Sequence, residues 1–585
     1  MLITIEIVQA DTHQPRAVLM FPYQRFSTQW LSAVVFCTIL TGCATGPTQK
    51  NLQASREVYK SGDIARSIAA FEEAYKNQAK KDTPYHLEKG YLTRLRGKDA
   101  LSESSLTLFE ADKVVSDWQR QATLDLGRST VDFMNYFFSP IRSGSVYELK
   151  DFEKSMLSYS LALNHVLAGR MDLATVEARK MAEREKLIER LQDKKLEAIS
   201  EKERENNSKS LGGFSRVENI KGYPVNLISH PTINSLRNSY QNAAAHYLAA
   251  FLFESQGDVS LAAPGYRLAI ELRPDVPLFK KSLADLESSA ARVIRPRAHA
   301  ETLVVVESGF IPRVNSHSST HSFQTARGPR LVTFRLPAIE GGSQHFPVRS
   351  ITAGTNEIPL SLAANLDLMA RRHLKDEMPG HVLKATTQAI VQIAVQEAVY
   401  QSQQRNRQGN EGAAMLGAIL AGAALSFGDV DVRSWTTLPS AIQLGRVQLQ
   451  KGMTTLKVNT PVGIVSTDLN IQNDYEVVYV RVLNNGAVVS KRPSEPVQAY
   501  LSPVTKTAEL KEKSPSFSFF PKAHASSGES GTLPARDTTN ETAASQDNSA
   551  FLSDVNCKMQ EGINALSVLF GKKDSGDLAK PMNCK

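Results

Sequence analysis

Gly257-Asp258-Val259-Ser260-Leu261-Ala262-Ala263-Pro264-Gly265-Tyr266-Arg267-Leu268-Ala269-Ile270-Glu271-Leu272-Arg273-Pro274 decides how the first half of this chain is read. Gly257-Asp258 is a turn followed by a helix cap. Ala262, Tyr266 and Ala269 then recur at helical spacing and share one face. Pro274 stops the helix, because its ring removes a backbone donor. The segment before the turn carries Ala250 and Phe253 at the matching small and aromatic positions. Small residues let two antiparallel helices approach, and the aromatic ring fills the gap between them. The stretch therefore predicts a helical hairpin.

Three looser copies precede it. The first is Gly62-Asp63 with Ser67, Phe71 and Ala74. The second has Gly90 and Gly97, followed by Ser102 and Leu106. The third has Ala162, Gly169 and Ala174, with Ala178 at the aromatic position. Gly62 and Gly97 lie 35 residues apart, close to the period of about 34 of the tetratricopeptide repeat, which this pattern resembles. Residues 52–290 are thus expected to form a tetratricopeptide-like array whose concave groove holds a peptide or a partner helix. A generic bundle of helical hairpins gives the same stacked helices and stays open as the alternative.

Within this region Arg179 to Arg204 is charged, with Met181, Ile188 and Leu191 as one thin apolar stripe. It reads as a solvated helix extension, or as a coiled-coil surface. Asn206 to Pro231 carries Gly, Pro, Ser and Asn signals and reads as a loop. The aromatic run Phe133 to Phe138 reads as core more than as a binding patch.

Residues 291–505 change texture. Thr302–Glu307, Arg330–Leu336, Ala441–Leu449, Thr455–Val458 and Tyr475–Leu483 read as strands. Asn484-Asn485-Gly486 turns the last of these into Ala487–Val489 as a hairpin. Two helices interrupt the strands. Helix 383–403 has Ile390, Ile393, Ala394 and Ala398 on one face. Helix 412–428 is uncharged and carries Gly412, Gly417 and Gly422. At about 25 Å it is short for a membrane span, and its small residues favour close packing on the sheet or on a neighbouring chain, with insertion into the membrane as the alternative. The fold class is therefore α+β and multidomain: a helical repeat array, then a mixed β domain with an inserted helical hairpin.

After that helix, Asp429, Asp431, Arg433 and Trp435 share one face if the chain is extended. Asp431, Arg433 and Trp435 then offer a face for a polar ligand, or a salt-bridged structural face with the indole packed beside it. Two carboxylates alone do not make an acid–base pair.

The ends of the chain carry location. Leu40-Thr41-Gly42-Cys43 closes an apolar run from Trp30, with Arg25 upstream. That is the layout of a secretory signal, too short to span a bilayer, and it resembles the bacterial lipobox. The resemblance implies a signal peptide over 1–42, lipidation at Cys43, and a tether over 43–51. It also implies an outer-membrane location facing the periplasm, which Ala44 favours. Glu6 and Asp11 are unusual in a signal lead, so translation is expected to start at Met20, with a long, unusual lead as the alternative. Acyl chains anchor at about 0.8 kcal/mol per buried CH₂. At the other end, residues 506–550 are polar and expected to be disordered. Residues 551–585 carry one apolar-periodic helix. Of the four cysteines, Cys37 leaves with the signal and Cys43 carries lipid. Cys557 and Cys584 remain as a pair for a disulfide.

Apolar content of 42% and charged content of 22% are ordinary for a globular protein. The net charge of +8 is spread without a dense basic block, which argues against nucleic acid. No cysteine spacing suits zinc or a redox pair, and no GxSxG, HExxH or phosphate loop is present. No catalytic residue, metal or cofactor is expected. Finally, several motifs occur together: Tyr147-Glu148; Tyr159-x₂-Ala162-Leu163-Asn164; Gly169 with Val176-Glu177-Ala178-Arg179; Glu307-Ser308-Gly309-x₂-Pro312; and Asp431-x-Arg433-Ser434-Trp435-x₂-Leu438-Pro439. Over about residues 52–460 they resemble a family of uncharacterised bacterial lipoproteins with a tetratricopeptide-like half and a β-rich half. The resemblance implies architecture and location, and no activity. The expected function is a non-enzymatic, lipid-anchored scaffold that binds an envelope protein through its repeats. The alternatives are an oligomeric assembly component packing helices 412–428 of several chains, and a cell-wall hydrolase using Asp431 and Arg433.

Overall fold

The computed structural model describes residues 49–500, apart from 79–80, 131, 134–146, 208–215, 290–297, 326–327, 340, 342–347, 349, 406–429 and 499. Among the described residues, four helix pairs build the N-terminal half: α1 (Gln49–Ser61) with α2 (Ile64–Tyr75), α3 (Thr83–Arg94) with α4 (Leu101–Leu126), α5 (Asp151–Leu167) with α6 (Met171–Asn207), and α8 (Ala243–Ser255) with α9 (Val259–Leu272). The short α7 (Pro231–Asn234) precedes α8, and α10 (Pro277–Ser289) follows α9. Each pair turns on one of the glycines that the repeat pattern singles out. Gly62, Gly97, Gly169 and Gly257 have φ of 97°, 101°, 79° and 79°, a region where a side chain would clash with its own backbone. After two of these turns an aspartate caps the next helix: Asp63 accepts from the Arg66 N–H and Asp258 from the Leu261 N–H. The other repeat positions pack as small or aromatic fillers. A Cβ on Gly90 would lie 2.6 Å from Leu108 Cγ, so α3 and α4 touch there. Phe71, Ala174, Ala262 and Tyr266 are buried.

Two sheets and a hairpin form the other half. The strands are β1 (His299–Ser308), β2 (Val314–Thr325), β3 (Gly328–Ile339), β4 (Ser350–Ala353), β5 (Asn356–Pro359), β6 (Ser361–Asn365), β7 (Ala441–Gln450), β8 (Gly452–Thr460), β9 (Gly463–Ile471), β10 (Tyr475–Leu483) and β11 (Gly486–Lys491). One sheet has the order β11-β10-β1-β7-β6 and the other β5-β4-β8-β9, while β2 and β3 pair alone. Only the central β1–β10 pair of the larger sheet is parallel. Alternation sends Leu303 and Val305 of β1 to the helices, and Val304 and Val306 to the second sheet. The molecule is thus layered: helices, five-stranded sheet, four-stranded sheet. Against the larger sheet and the loop beside it, the first helix of each pair supplies the contacts through Tyr59 of α1, Tyr91 of α3, Glu153 of α5 and Phe251 of α8. The inward face of the array is therefore filled by the chain's own β half.

Several boundaries differ from the sequence reading. Helix α1 begins at Gln49, inside the stretch read as tether. The charged run belongs to the 37-residue helix α6, whose stripe of Met181, Ile188 and Leu191 is buried rather than solvated. Lys194 of this helix donates to the Asp125 and Leu126 carbonyls at 3.0 and 2.9 Å, closing the end of α4. In the segment read as loop, Tyr223 is buried and its hydroxyl donates to the Pro337 carbonyl at 2.8 Å.

The helix expected over 383–403 is α11, Leu366–Arg405. It runs through Pro379, although proline removes a backbone donor from a helix interior; Met369, Leu374, Met378 and Val382 are buried on both sides of that residue. Strand β3 runs on beyond Pro337, which a strand with an unpaired edge tolerates. On that hairpin, Gln392 of α11 exchanges hydrogen bonds with the Thr333 backbone at 3.1 and 3.2 Å. No described helix is long and apolar enough to cross a membrane. The signal, Cys43, helix 412–428 and the tail from residue 506 lie outside the described residues.

Segment 493–500 returns from β11 to the array and sets up a test. A Cβ on Gly169 would lie 2.9 Å from Pro496 Cα, whereas one on Gly97 meets nothing within 4 Å. Gly97→Ala should cost only the strained positive-φ backbone, ~1–3 kcal/mol. Gly169→Ala should cost a further ~1–3 kcal/mol of overpacking. Urea melts of both variants check this, and equal losses would mean that Pro496 does not sit against this turn in solution.

Candidate functional site

Between the array and the larger sheet runs the loop Trp435–Ser440, and buried carboxylates on three elements organise its surroundings. Glu88 of α3 accepts the N–H groups of Thr436 and Thr437 at 2.6 and 3.0 Å and the Thr436 hydroxyl at 2.6 Å. Glu153 of α5 accepts the Trp435 N–H at 2.8 Å, the Lys150 N–H at 2.9 Å and the Tyr147 hydroxyl. Glu307, near the end of β1, accepts the Tyr479 hydroxyl at 2.8 Å and that of Tyr91. Around them, the Tyr59 hydroxyl donates to the Thr437 carbonyl at 3.1 Å and accepts from Arg481 Nε at 2.9 Å. Arg481 also donates to the Gly309 carbonyl at 2.6 Å. The Arg94 guanidinium stacks 4.6 Å above the Tyr91 ring.

The electrostatics follow from this crowding. Burial pushes the Glu88 carboxyl up, opposed by the Arg56 charge and the donors of Thr436 and Thr437. Burial and the Glu307 carboxylate push Tyr91 and Tyr159 far above the usual phenol range; burial and Glu153 do the same to Tyr147. These phenols stay neutral and act as donors. For Arg94 and Arg481 burial works against the charge, but the tyrosines and Glu307 outweigh it, so both stay cationic. Three buried side chains here have atoms without a hydrogen-bond partner: Glu307 Oε1, the Tyr159 hydroxyl, and Nε and Nη2 of Arg94. The arrangement holds backbone: charged acceptors meet N–H groups in a dry interface, where such bonds are strongest.

The structure separates the expected ligand face. Residues 430–435 form no strand, because Asp431 Oδ1 accepts the Arg433 N–H at 3.0 Å and folds the chain back on itself. Asp431 and Arg433 come together as a two-pronged pair at 2.9 and 2.7 Å, with the guanidinium 5.4 Å over Tyr147. Trp435 points elsewhere: it is fully buried, its indole N–H donates to Thr437 Oγ1 at 3.0 Å, and its ring stands edge-on to Tyr91.

Among the repeat residues, Tyr266 gains a role beyond packing. Its hydroxyl donates to Glu254, and Arg446 of β7 joins Glu254, Glu301 and Tyr266. Glu88, Glu153 and Arg481 are absent from the sequence-level site. The available signal was a charge inside an apolar strand, as at Glu307 in β1 and Arg481 in β10. One group of metal-ligating side chains meets among the described residues: Asp151, His373 and Glu377. The His373-x₃-Glu377 spacing on a helix was its signal.

Segment 493–500 docks nearby. The Val497 N–H donates to the Ala168 carbonyl at 3.0 Å, and the Tyr500 hydroxyl lies 2.7 Å from both His165 Nδ1 and Ser105 Oγ.

Two outcomes follow from this geometry. Glu88→Ala strands the buried N–H groups of Thr436 and Thr437 and should cost ~3–5 kcal/mol. Thermal melting checks it, and a loss under ~1 kcal/mol would mean that the loop is held by other contacts. The second concerns pH. Burial pushes the His165 imidazole down from 6.5 to about 3. The folded protein refuses a proton that the unfolded chain accepts. Stability is therefore full above about pH 6.5 and is lost as pH falls towards about 3, at up to ~1.4 kcal/mol per unit. Between pH 7 and 4.5 the wild type should lose ~2–3 kcal/mol more than His165→Gln in urea melts. Equal losses would mean that His165 takes its proton in the folded state. No protein-family model, no curated protein and no solved structure matches this chain.

Proposed function

We propose that this chain is a non-enzymatic scaffold of the bacterial cell envelope, lipid-anchored at Cys43 to the outer membrane and facing the periplasm. Its helix pairs are read as a tetratricopeptide-like array. The observation that carries the reading is the series of four left-handed glycine turns, Gly62, Gly97, Gly169 and Gly257, joined to the lipobox-like Leu40–Cys43. An array of this kind offers its first helices to a ligand. Here those helices grip the β half, so the array first serves to hold its own sheet, and an envelope partner meets the surfaces left outside. Asp431 and Arg433, the pair a hydrolase reading would need, are engaged with each other.

The test is crosslinking in intact cells followed by mass spectrometry, with wild type and Cys43→Ala side by side. The expected result is an envelope protein captured by the lipidated form and lost with Cys43→Ala. An unmodified Cys43 in the wild type, or the same captured set from both forms, would overturn the reading.

A further inference from the structure

Away from the loop, α5, α6 and α11 meet at a second polar centre. Helix α11 carries His373, Glu377 and His381 at successive four-residue steps, which places them along one face. Asp151, in the first turn of α5, faces them. One ligand atom each of Asp151, His373 and Glu377 lies within 4.8 Å of the others. Asp151 is buried and the other two are half-buried. His373 Nδ1 is a buried nitrogen with no hydrogen-bond partner.

Two ammonium groups face the same centre. Lys154 Nζ lies 2.7 Å from Asp151 Oδ1, and Lys195 Nζ of α6 lies 3.1 Å from Glu377 Oε1. Gln192 Nε2 donates to Asp151 Oδ2 at 2.8 Å.

We propose that Asp151, His373 and Glu377 form a binding site for a divalent transition metal of the zinc class. One imidazole nitrogen and two carboxylate oxygens suit zinc and leave a fourth position open. Bonds of about 2.0–2.2 Å to a tetrahedral ion put its ligand atoms ~3.4 Å apart, so the three arms must close by about an ångström. The ion also competes with Lys195 for Glu377. That competition separates a metal site from an ion-pair network that only ties three helices together. Removing the Lys195 charge should strengthen metal binding, whereas in a purely structural network it yields no metal affinity at all.

The probes are Co²⁺ and Zn²⁺, added to the full-length chain in detergent after chelator stripping. The expected result is about one equivalent of Co²⁺ with visible ligand-field absorption, displaced by Zn²⁺. Lys195→Met should tighten Co²⁺ at least about tenfold, since a unit charge a few ångström away opposes the ion. His373→Gln and Glu377→Gln should each weaken it at least about tenfold. No absorption from wild type and Lys195→Met alike would overturn the proposal, as would absorption that survives both His373→Gln and Glu377→Gln. Circular dichroism confirms folding of each variant, and the wild-type titration decides alone where one fails to fold.

Discussion

Strand β1 is buried on both faces, and the rest of the molecule is arranged to keep it so. Its neighbour β10 shares that fate from Glu476 to Leu483, and β7 does so from Ala441 to Gly445. A sheet buried on both sides must satisfy two cores at once. Leu303 and Val305 meet the helices while Val304 and Val306 meet β4, β8 and β9. A register slip of one residue would exchange the two faces and drive Glu307 into the apolar layer between the sheets. The parallel pairing of β1 with β10, separated in sequence by most of the β half, fixes that register: Val305 opposes Tyr479, and Glu307 opposes Arg481.

The polar groups at the end of β1 add specificity to that register. Charged acceptors in a dry interface are costly unless filled with donors. Glu88 and Glu153 accept the backbone N–H groups of Trp435, Thr436 and Thr437, and Glu88 takes the Thr436 hydroxyl as well. These two carboxylates, from α3 and α5, therefore read the path of the loop together with one of its side chains. Tyr59 and Arg481 continue the same contact from α1 to β10. The first three helix pairs are thus tied to one strip of the β half, and α8 is tied to another through Glu254 and Arg446.

Legibility in the sequence followed the range of the forces involved. Helix turns on Gly62, Gly97, Gly169 and Gly257 are local devices, and so was the Asn484–Gly486 hairpin; both could be read from a few residues. The strands with β-branched runs, Thr302–Glu307 and Tyr475–Leu483, were legible for the same reason. β2 was not, because Asn315 to Ser322 is Asn, Ser, Thr and His without apolar alternation, and its partner β3 and the Ser319 hydroxyl's bond to the Lys221 carbonyl supply its order. The start of α11 was hidden behind Pro379, whose local penalty is overridden by buried neighbours on either side. The carboxylates of the interface were least legible. A glutamate in a helix looks solvent-facing until the loop it grips, hundreds of residues later, is in place.

The same logic explains why the Asp431–Pro439 motif carries two chemistries in adjacent residues. Asp431 and Arg433 pair locally, at two-residue spacing, and remain partly exposed. The N–H groups of Trp435, Thr436 and Thr437 find distant acceptors in Glu153 and Glu88. The change falls at Ser434, where the chain leaves its own local hydrogen bonding and enters the interface. A motif that is conspicuous in sequence because it combines charge with an aromatic residue here marks the entry of a loop into a buried seam. The charged pair turns the chain and the indole locks it. The seam they close holds the helix array onto its sheet, which makes the two halves one mechanical unit.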